Sequence, residues 1–143
     1  IIENIDEDTF IWIHDYHFLL LPKMLRERKK NLQIGFFLHI PFPNQELFRL
    51  LPNRDELLKG LLGADLIGFH TKQYVEHFIN CAKVLKIQGA NIVSNHCIRY
   101  EDKNIDICNF PISIDYDYIS SLSNSKEVCD KVKDLRTSYN AEY

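Results

Sequence analysis

The stretch "IWIHDYHFLLLP", residues 11–22, sets two histidines, an aspartate and a tyrosine between two apolar runs. Upstream, "TFIWI" (9–13) is apolar and β-branched up to the break at His14, the pattern of a strand buried on both faces. Downstream, "FLLLPKMLRERKK" carries Leu20, Leu21, Met24, Leu25 and Arg28 at helical spacing, which tolerates Pro22 only in the first turn. The unit reads as strand, polar break, helix.

The same unit recurs along the chain. "QIGFFLH" (33–39) is a second apolar strand ending on a histidine, followed by loop-like "IPFP" and one or two short helical turns. Asn53 and Glu56 are spaced as a capping box for "RDELLKGLLG". "DLIGF" (65–69) is a third strand ending at His70 and Thr71. Thr71 is placed to cap an amphipathic helix whose apolar face is Tyr74, Val75, Phe78, Ile79, Ala82 and Leu85. After Gly89, "HCIRY" and "IDICNF" alternate around "EDKN" as a β-hairpin. A polar stretch rich in Ser and Tyr then leads to a last helix from about Ser125, with Val128, Val132 and Leu135 on its apolar side. Strand–helix alternation predicts an α/β fold, a parallel Rossmann-like sheet with flanking helices, with the hairpin as an addition. No G-x-G-x-x-G and no P-loop occurs.

Composition narrows the function classes. The 143 residues are 45% hydrophobic and 26% charged, enough for one domain with a core. A net charge of −3 gives no nucleic-acid footprint, and Arg26, Arg28, Lys29 and Lys30 read as a solvated helix face. No run approaches the ~20 apolar residues of a membrane span, and the opening residues carry no signal-peptide pattern. Cys81, Cys97, Cys108 and Cys129 lack C-x-x-C spacing and read as reduced, mostly buried thiols of a cytoplasmic protein. Beginning at Ile1, the chain has the look of a piece of something longer.

In open parallel sheets ligands bind beyond the carboxyl ends of the strands. Asp15, His39 and His70 stand at three such ends. Neighbouring strand ends lie ~5 Å apart, so the three residues suit one small polar ligand. Asp15 is suited to accept hydrogen bonds from sugar hydroxyls, and His39 to donate or accept another. Each also has a purely structural reading, as turn former or helix cap. That reading is weakest for His39, which two prolines present, and stronger for His17, Tyr16 and His70. His14, one residue earlier in its strand, is expected on the opposite side from Asp15 as a satisfied core histidine. H-x-x-H at a strand end lacks zincin geometry, no cysteine is placed as a nucleophile, and there is no G-x-S-x-G elbow.

"IWIHDYHFLLLPKMLRE", "IGFFLHIPFPNQELFRLLP", "LLKGLLGADLIGFHT" and "YVEHF", in this order, closely resemble the trehalose-6-phosphate synthase family. The resemblance runs from about residue 10 to residue 85 and resumes at "FPISID". It implies the later half, here residues 1–143, of the N-terminal domain of a GT-B glycosyltransferase. The C-terminal, donor-binding domain would then lie outside the chain. It further implies transfer of glucose from UDP-glucose to glucose 6-phosphate with retention, giving trehalose 6-phosphate and UDP. Neither cofactor nor catalytic metal is implied. The remainder of the synthase, and in many eukaryotic relatives a fused phosphatase domain, would be its partners.

By the same resemblance, Asp15 binds glucose 6-phosphate, His39 faces the transferred glucosyl group, and Ile40 matches a position tied to selectivity for the acceptor's α-anomer. The alternative is a catalytically inactive synthase-like domain that senses sugar phosphate or binds partners. Two departures stand out. Ser113 replaces the family's glycine in F-P-I-G-I-D, which matters if that position needs positive φ. His70 stands where glutamine is also common.

Overall fold

The computed structural model describes residues 2–6 and 9–140. The chain divides into two compact units, Ile1–Pro111 and Ile112–Tyr143. In the first, β1 (Phe10–His14) passes through a 3₁₀ turn, Tyr16–Phe18, into α1 (Leu21–Arg28), with Pro22 in its first turn as the sequence requires. Then follow β2 (Gln33–Phe37), the short α2 (Gln45–Phe48), α3 (Arg54–Leu61), β3 (Leu66–Phe69) and α4 (Lys72–Leu85). Three strands complete the unit: β4 (Ala90–Ser94), β5 (Cys97–Tyr100) and β6 (Lys103–Asn109).

Among the described residues six strands form one sheet in the order β1-β2-β3-β6-β5-β4. β1, β2, β3 and β6 run parallel, and β5 and β4 continue the sheet antiparallel. The hairpin is therefore no addition: β6 pairs with β3 and is the fourth parallel strand. Its two-residue turn is made by Glu101, at φ 53°, and Asp102. β4 shows no alternation in the sequence, because a bulge between Ile92 and Ser94 breaks it.

The core lies on one face of the sheet. Ile34, Phe36, Ile67, Phe69, Ile105 and Ile107 bury against Leu25, Leu58, Leu61 and the Val75, Phe78, Ile79 and Ala82 stripe of α4. Thr71 caps α4 as expected, its hydroxyl accepting from the Tyr74 amide. Asn53 precedes α3 but makes no side-chain cap: at ψ 24° its backbone leaves the extended region from which a cap reaches the first-turn amides. β1 also departs from expectation. It is an edge strand in which Ile13 is buried while Phe10 and Trp12 are 55% and 63% exposed. Ile13 lies on the covered face and Phe10 and Trp12 on the other, and an apolar run alone does not tell whether one face is covered or both.

The second unit holds α5 (Tyr116–Ser123) and α6 (Lys126–Tyr139). Asp115 caps α5 through the Tyr118 amide, and Ser125 caps α6 through the Val128 amide, at the start the sequence predicts for this helix. α5 escaped the reading because its Ser and Tyr residues are indifferent helix formers. Ser113 is not among the positive-φ residues, so the missing glycine costs no backbone strain. The four cysteines are free, but only Cys81 is buried; Cys97 and Cys108 are half-buried and Cys129 is exposed. Among the described residues no helix is long and apolar enough to cross a membrane.

Candidate functional site at three strand ends

β1, β2 and β3 are consecutive neighbours, in a register that sets His14 beside Phe37 and Phe37 beside Gly68. The ladder runs one residue past each strand: the Asp15 amide donates to the Phe37 carbonyl at 2.8 Å, and the Leu38 amide to the Gly68 carbonyl at 3.0 Å. The residues that follow, Asp15, His39 and His70, therefore meet at one end of the sheet.

Asp15 sits at φ 71°, ψ 170°. That region is almost reserved for glycine and costs a side-chain-bearing residue ~1–3 kcal/mol. The conformation turns the chain into the 3₁₀ turn, where the Phe18 amide donates to the Asp15 carbonyl. It also aims the carboxylate across the strand ends, so that Oδ1 accepts from the His39 amide at 3.4 Å.

The same kink overturns the expectation for His14. An ordinary strand would send His14 and Asp15 to opposite sides. Here both reach His39: His14 Nδ1 lies 2.9 Å from His39 Nε2, and the two rings stack with centroids 5.2 Å apart. His14 is exposed and belongs to the site rather than the core. His70 closes the group, its ring 5.6 Å from His39 and edge-on to Phe37 at 5.0 Å. Phe37 lies under both, 4.8 Å from His39. Its own place depends on Gly68, since a Cβ there would come within 2.7 Å of the Phe37 ring. Tyr16 and His17 stack on each other at 3.9 Å and are exposed. Ile40 is 41% exposed beside His39.

The loop that presents His39 is anchored from below. Phe42, between the two prolines, is buried among Phe48, Phe69 and Phe78 at centroid distances of 5.2, 5.6 and 5.3 Å. His77 on α4 donates from Nδ1 to the Phe42 carbonyl at 2.9 Å, since a carbonyl only accepts. Cys81 packs beneath Pro43, and its burial pushes the thiol up to about 11. Sequence reasoning missed Phe42 and His77; an aromatic residue held between two prolines was the available signal.

Electrostatic organisation lies at the opposite, amino-terminal end of the sheet. Asp65 precedes β3 and accepts from Arg26 at 2.7 Å, from the Ile34 amide at 2.7 Å, and from Lys103. Partial burial alone would raise its pKa. The hydrogen bonds from Lys103 and Ile34 and the Arg26 and Lys103 charges outweigh that and hold it below the ordinary carboxylate value. Arg26 also donates to the Gly63, Lys30 and Leu32 carbonyls. A hollow of about 700 Å³ opens nearby between Lys23, Arg26, Lys30, Tyr100 and Lys103. Its four cations are balanced by Glu27, Glu101 and Asp102 on its wall and by Asp65 beneath, so it has no preference for an anion. Among the described residues no group of three or more His, Cys, Asp or Glu is arranged to hold a metal ion.

Comparison with known proteins matches this geometry to a family. The profile of glycosyltransferase family 20 covers residues 1–143. An alpha,alpha-trehalose-phosphate synthase (UDP-forming) of Candida albicans is 42% identical over 143 residues, 97% of this chain and 30% of that protein. The N-terminal domain of the Candida albicans trehalose-6-phosphate phosphatase superposes with a TM-score of 0.80 at 39% identity, over 97% of this chain and 30% of that one. A trehalose-6-phosphate structure from E. coli, bound with UDP-2-fluoro glucose, gives 0.79 at 34% identity, over 96% and 30%. The chain thus spans about 30% of the length of these relatives, and its fold is that of part of their GT-B N-terminal domain. From motif, strand-end geometry and similarity together, the chain belongs to glycosyltransferase family 20.

Proposed function

We propose that this chain is the acceptor-facing part of the N-terminal domain of a retaining glucosyltransferase that makes trehalose 6-phosphate and UDP from UDP-glucose and glucose 6-phosphate. The observation that carries the reading is the strained Asp15 carboxylate converging with His39 at adjacent parallel strand ends. The E. coli neighbour's UDP-2-fluoro glucose supports a nucleotide-sugar donor.

In this reading Asp15 accepts hydrogen bonds from the acceptor's hydroxyls. His39 faces the glucosyl group in transit, and Ile40 supplies the apolar wall that selects the α-anomer. The acceptor's anomeric oxygen bonds to C1 of the donor glucose on the face from which UDP departs. The C1–O bond to UDP breaks, and the acceptor's proton passes to the leaving phosphate. Asp15 and His39 align the reactants rather than act as nucleophile and base. A C-terminal domain outside this chain holds the UDP phosphates. The free cysteines accord with a cytoplasmic protein.

The test is UDP release by the full-length protein that carries this chain, with both substrates present. Turnover that collapses in His39→Ala with the fold intact supports the reading. One observation favours a second: the likeness to the N-terminal domain of a phosphatase suits a synthase-like domain that senses sugar phosphate or binds partners. Binding of glucose 6-phosphate without any turnover would decide for that alternative.

A further inference from the structure

His14 ends β1 with its ring held between Trp12 and His39, at centroid distances of 4.5 and 5.2 Å. The 2.9 Å from its Nδ1 to Nε2 of His39 is a hydrogen-bond length. A neutral imidazole has one N–H and one lone pair, so a bridge between two of them holds a single proton. Two arrangements satisfy it. If His14 donates from Nδ1, His39 carries its own proton on Nδ1. If His39 donates from Nε2, its Nδ1 is a lone pair. In both, Nε2 of His39 is taken by His14, and Nδ1 is the ring nitrogen left for a further hydrogen bond.

The rest of the site packs around the same residue. The His39 amide is engaged by Asp15 Oδ1, while Phe37 and His70 border the ring at 4.8 and 5.6 Å. Two adjacent residues of one strand end thus hold the main chain and the ring of His39 together. The positive φ of Asp15 makes this possible by cancelling the alternation between them.

Resting on the proposed synthase reading, we infer that His14 is a positioning residue, which holds His39 by Nε2 and presents its Nδ1 to the sugar being transferred. His14 acts through His39. Its removal frees the ring to turn, which lowers kcat about tenfold, the worth of one net hydrogen bond. The KM for glucose 6-phosphate stays unchanged, because the acceptor is held by Asp15.

The experiment uses the full-length protein, ¹⁵N-labelled at histidine, as wild type, His14→Phe and His14→Asn. In the wild type a scalar coupling is expected between His14 Nδ1 and His39 Nε2. His14→Phe keeps the stacking, moves the His39 Nε2 resonance and lowers kcat about tenfold. His14→Asn, whose amide reaches the place of Nδ1, restores most of that loss. A His39 Nε2 resonance unmoved by His14→Phe overturns the inference. If His14→Phe does not fold, the wild-type coupling decides alone, and its absence overturns the inference. A wild type without turnover overturns the synthase reading instead, which the ring-nitrogen spectrum distinguishes from loss of the His14–His39 bridge.

Discussion

Replacing Asp15 by glycine and, separately, by alanine isolates the strain stored at the site. Both variants lose the carboxylate, so they differ only in how the backbone bears φ 71°, ψ 170°. Alanine keeps the ~1–3 kcal/mol of strain that glycine sheds. Glycine gives back ~0.5–1 kcal/mol through its freer unfolded chain. Asp15→Gly is therefore expected to be more stable than Asp15→Ala by about 1 kcal/mol. At roughly 2–4 °C per kcal/mol for a domain of 150–250 residues, the midpoints separate by a few degrees. Thermal unfolding of the two full-length variants, followed by circular dichroism, reads the difference. In the same proteins the KM for glucose 6-phosphate rises by roughly 10–100-fold, the worth of a charge-assisted hydrogen bond or two. Alanine as stable as glycine would refute the strain, and with it the account of why an aspartate occupies a glycine-like conformation.

Three further outcomes follow from other parts of the molecule. Asp65→Asn weakens the junction with Arg26 and Lys103 and costs ~1–2 kcal/mol, discounted because the carboxylate is a third exposed. The depressed pKa of Asp65 contributes stability above the unfolded carboxylate value near ~4, and this is lost as pH falls through the lower folded value. The variant's acid-unfolding profile below about pH 4 is accordingly flatter, and identical profiles would contradict the network's role. Gly68→Ala drives a Cβ into the Phe37 and Phe110 rings and costs ~1–3 kcal/mol, with kcat falling as Phe37 shifts beneath His39 and His70; an alanine variant with native stability and kcat would speak against that support. The isolated chain self-associates through the β1 edge and the exposed Phe10 and Trp12, so sedimentation should show oligomers that Trp12→Lys reduces. A monomer with a cooperative thermal transition would contradict this.

Much of the fold was legible because apolar runs alternate with well-capped helices. Three strands, the Thr71 cap, the Pro22 start of α1 and the convergence of Asp15, His39 and His70 could all be read from local pattern. What failed depends on non-local or conformational facts. The run 9–13 does not reveal that, among the described residues, only one face of β1 is covered. "IDICNF" does not announce that β3 will be its partner. Asn53 has the spacing of a cap but not the backbone angles. The decisive omission was the positive φ of Asp15, for no residue type signals it when glycine is absent. It is the feature that brings His14 into the site.

Asp15 is proposed to hold the acceptor sugar. Calorimetric titration of the full-length protein with glucose 6-phosphate in the presence of UDP, comparing wild type with Asp15→Asn, tests it most directly. Acceptor affinity is expected to weaken ten-fold or more, as for a lost charge-assisted hydrogen bond, with UDP-glucose affinity unchanged. Equal affinity of both proteins for glucose 6-phosphate would contradict it.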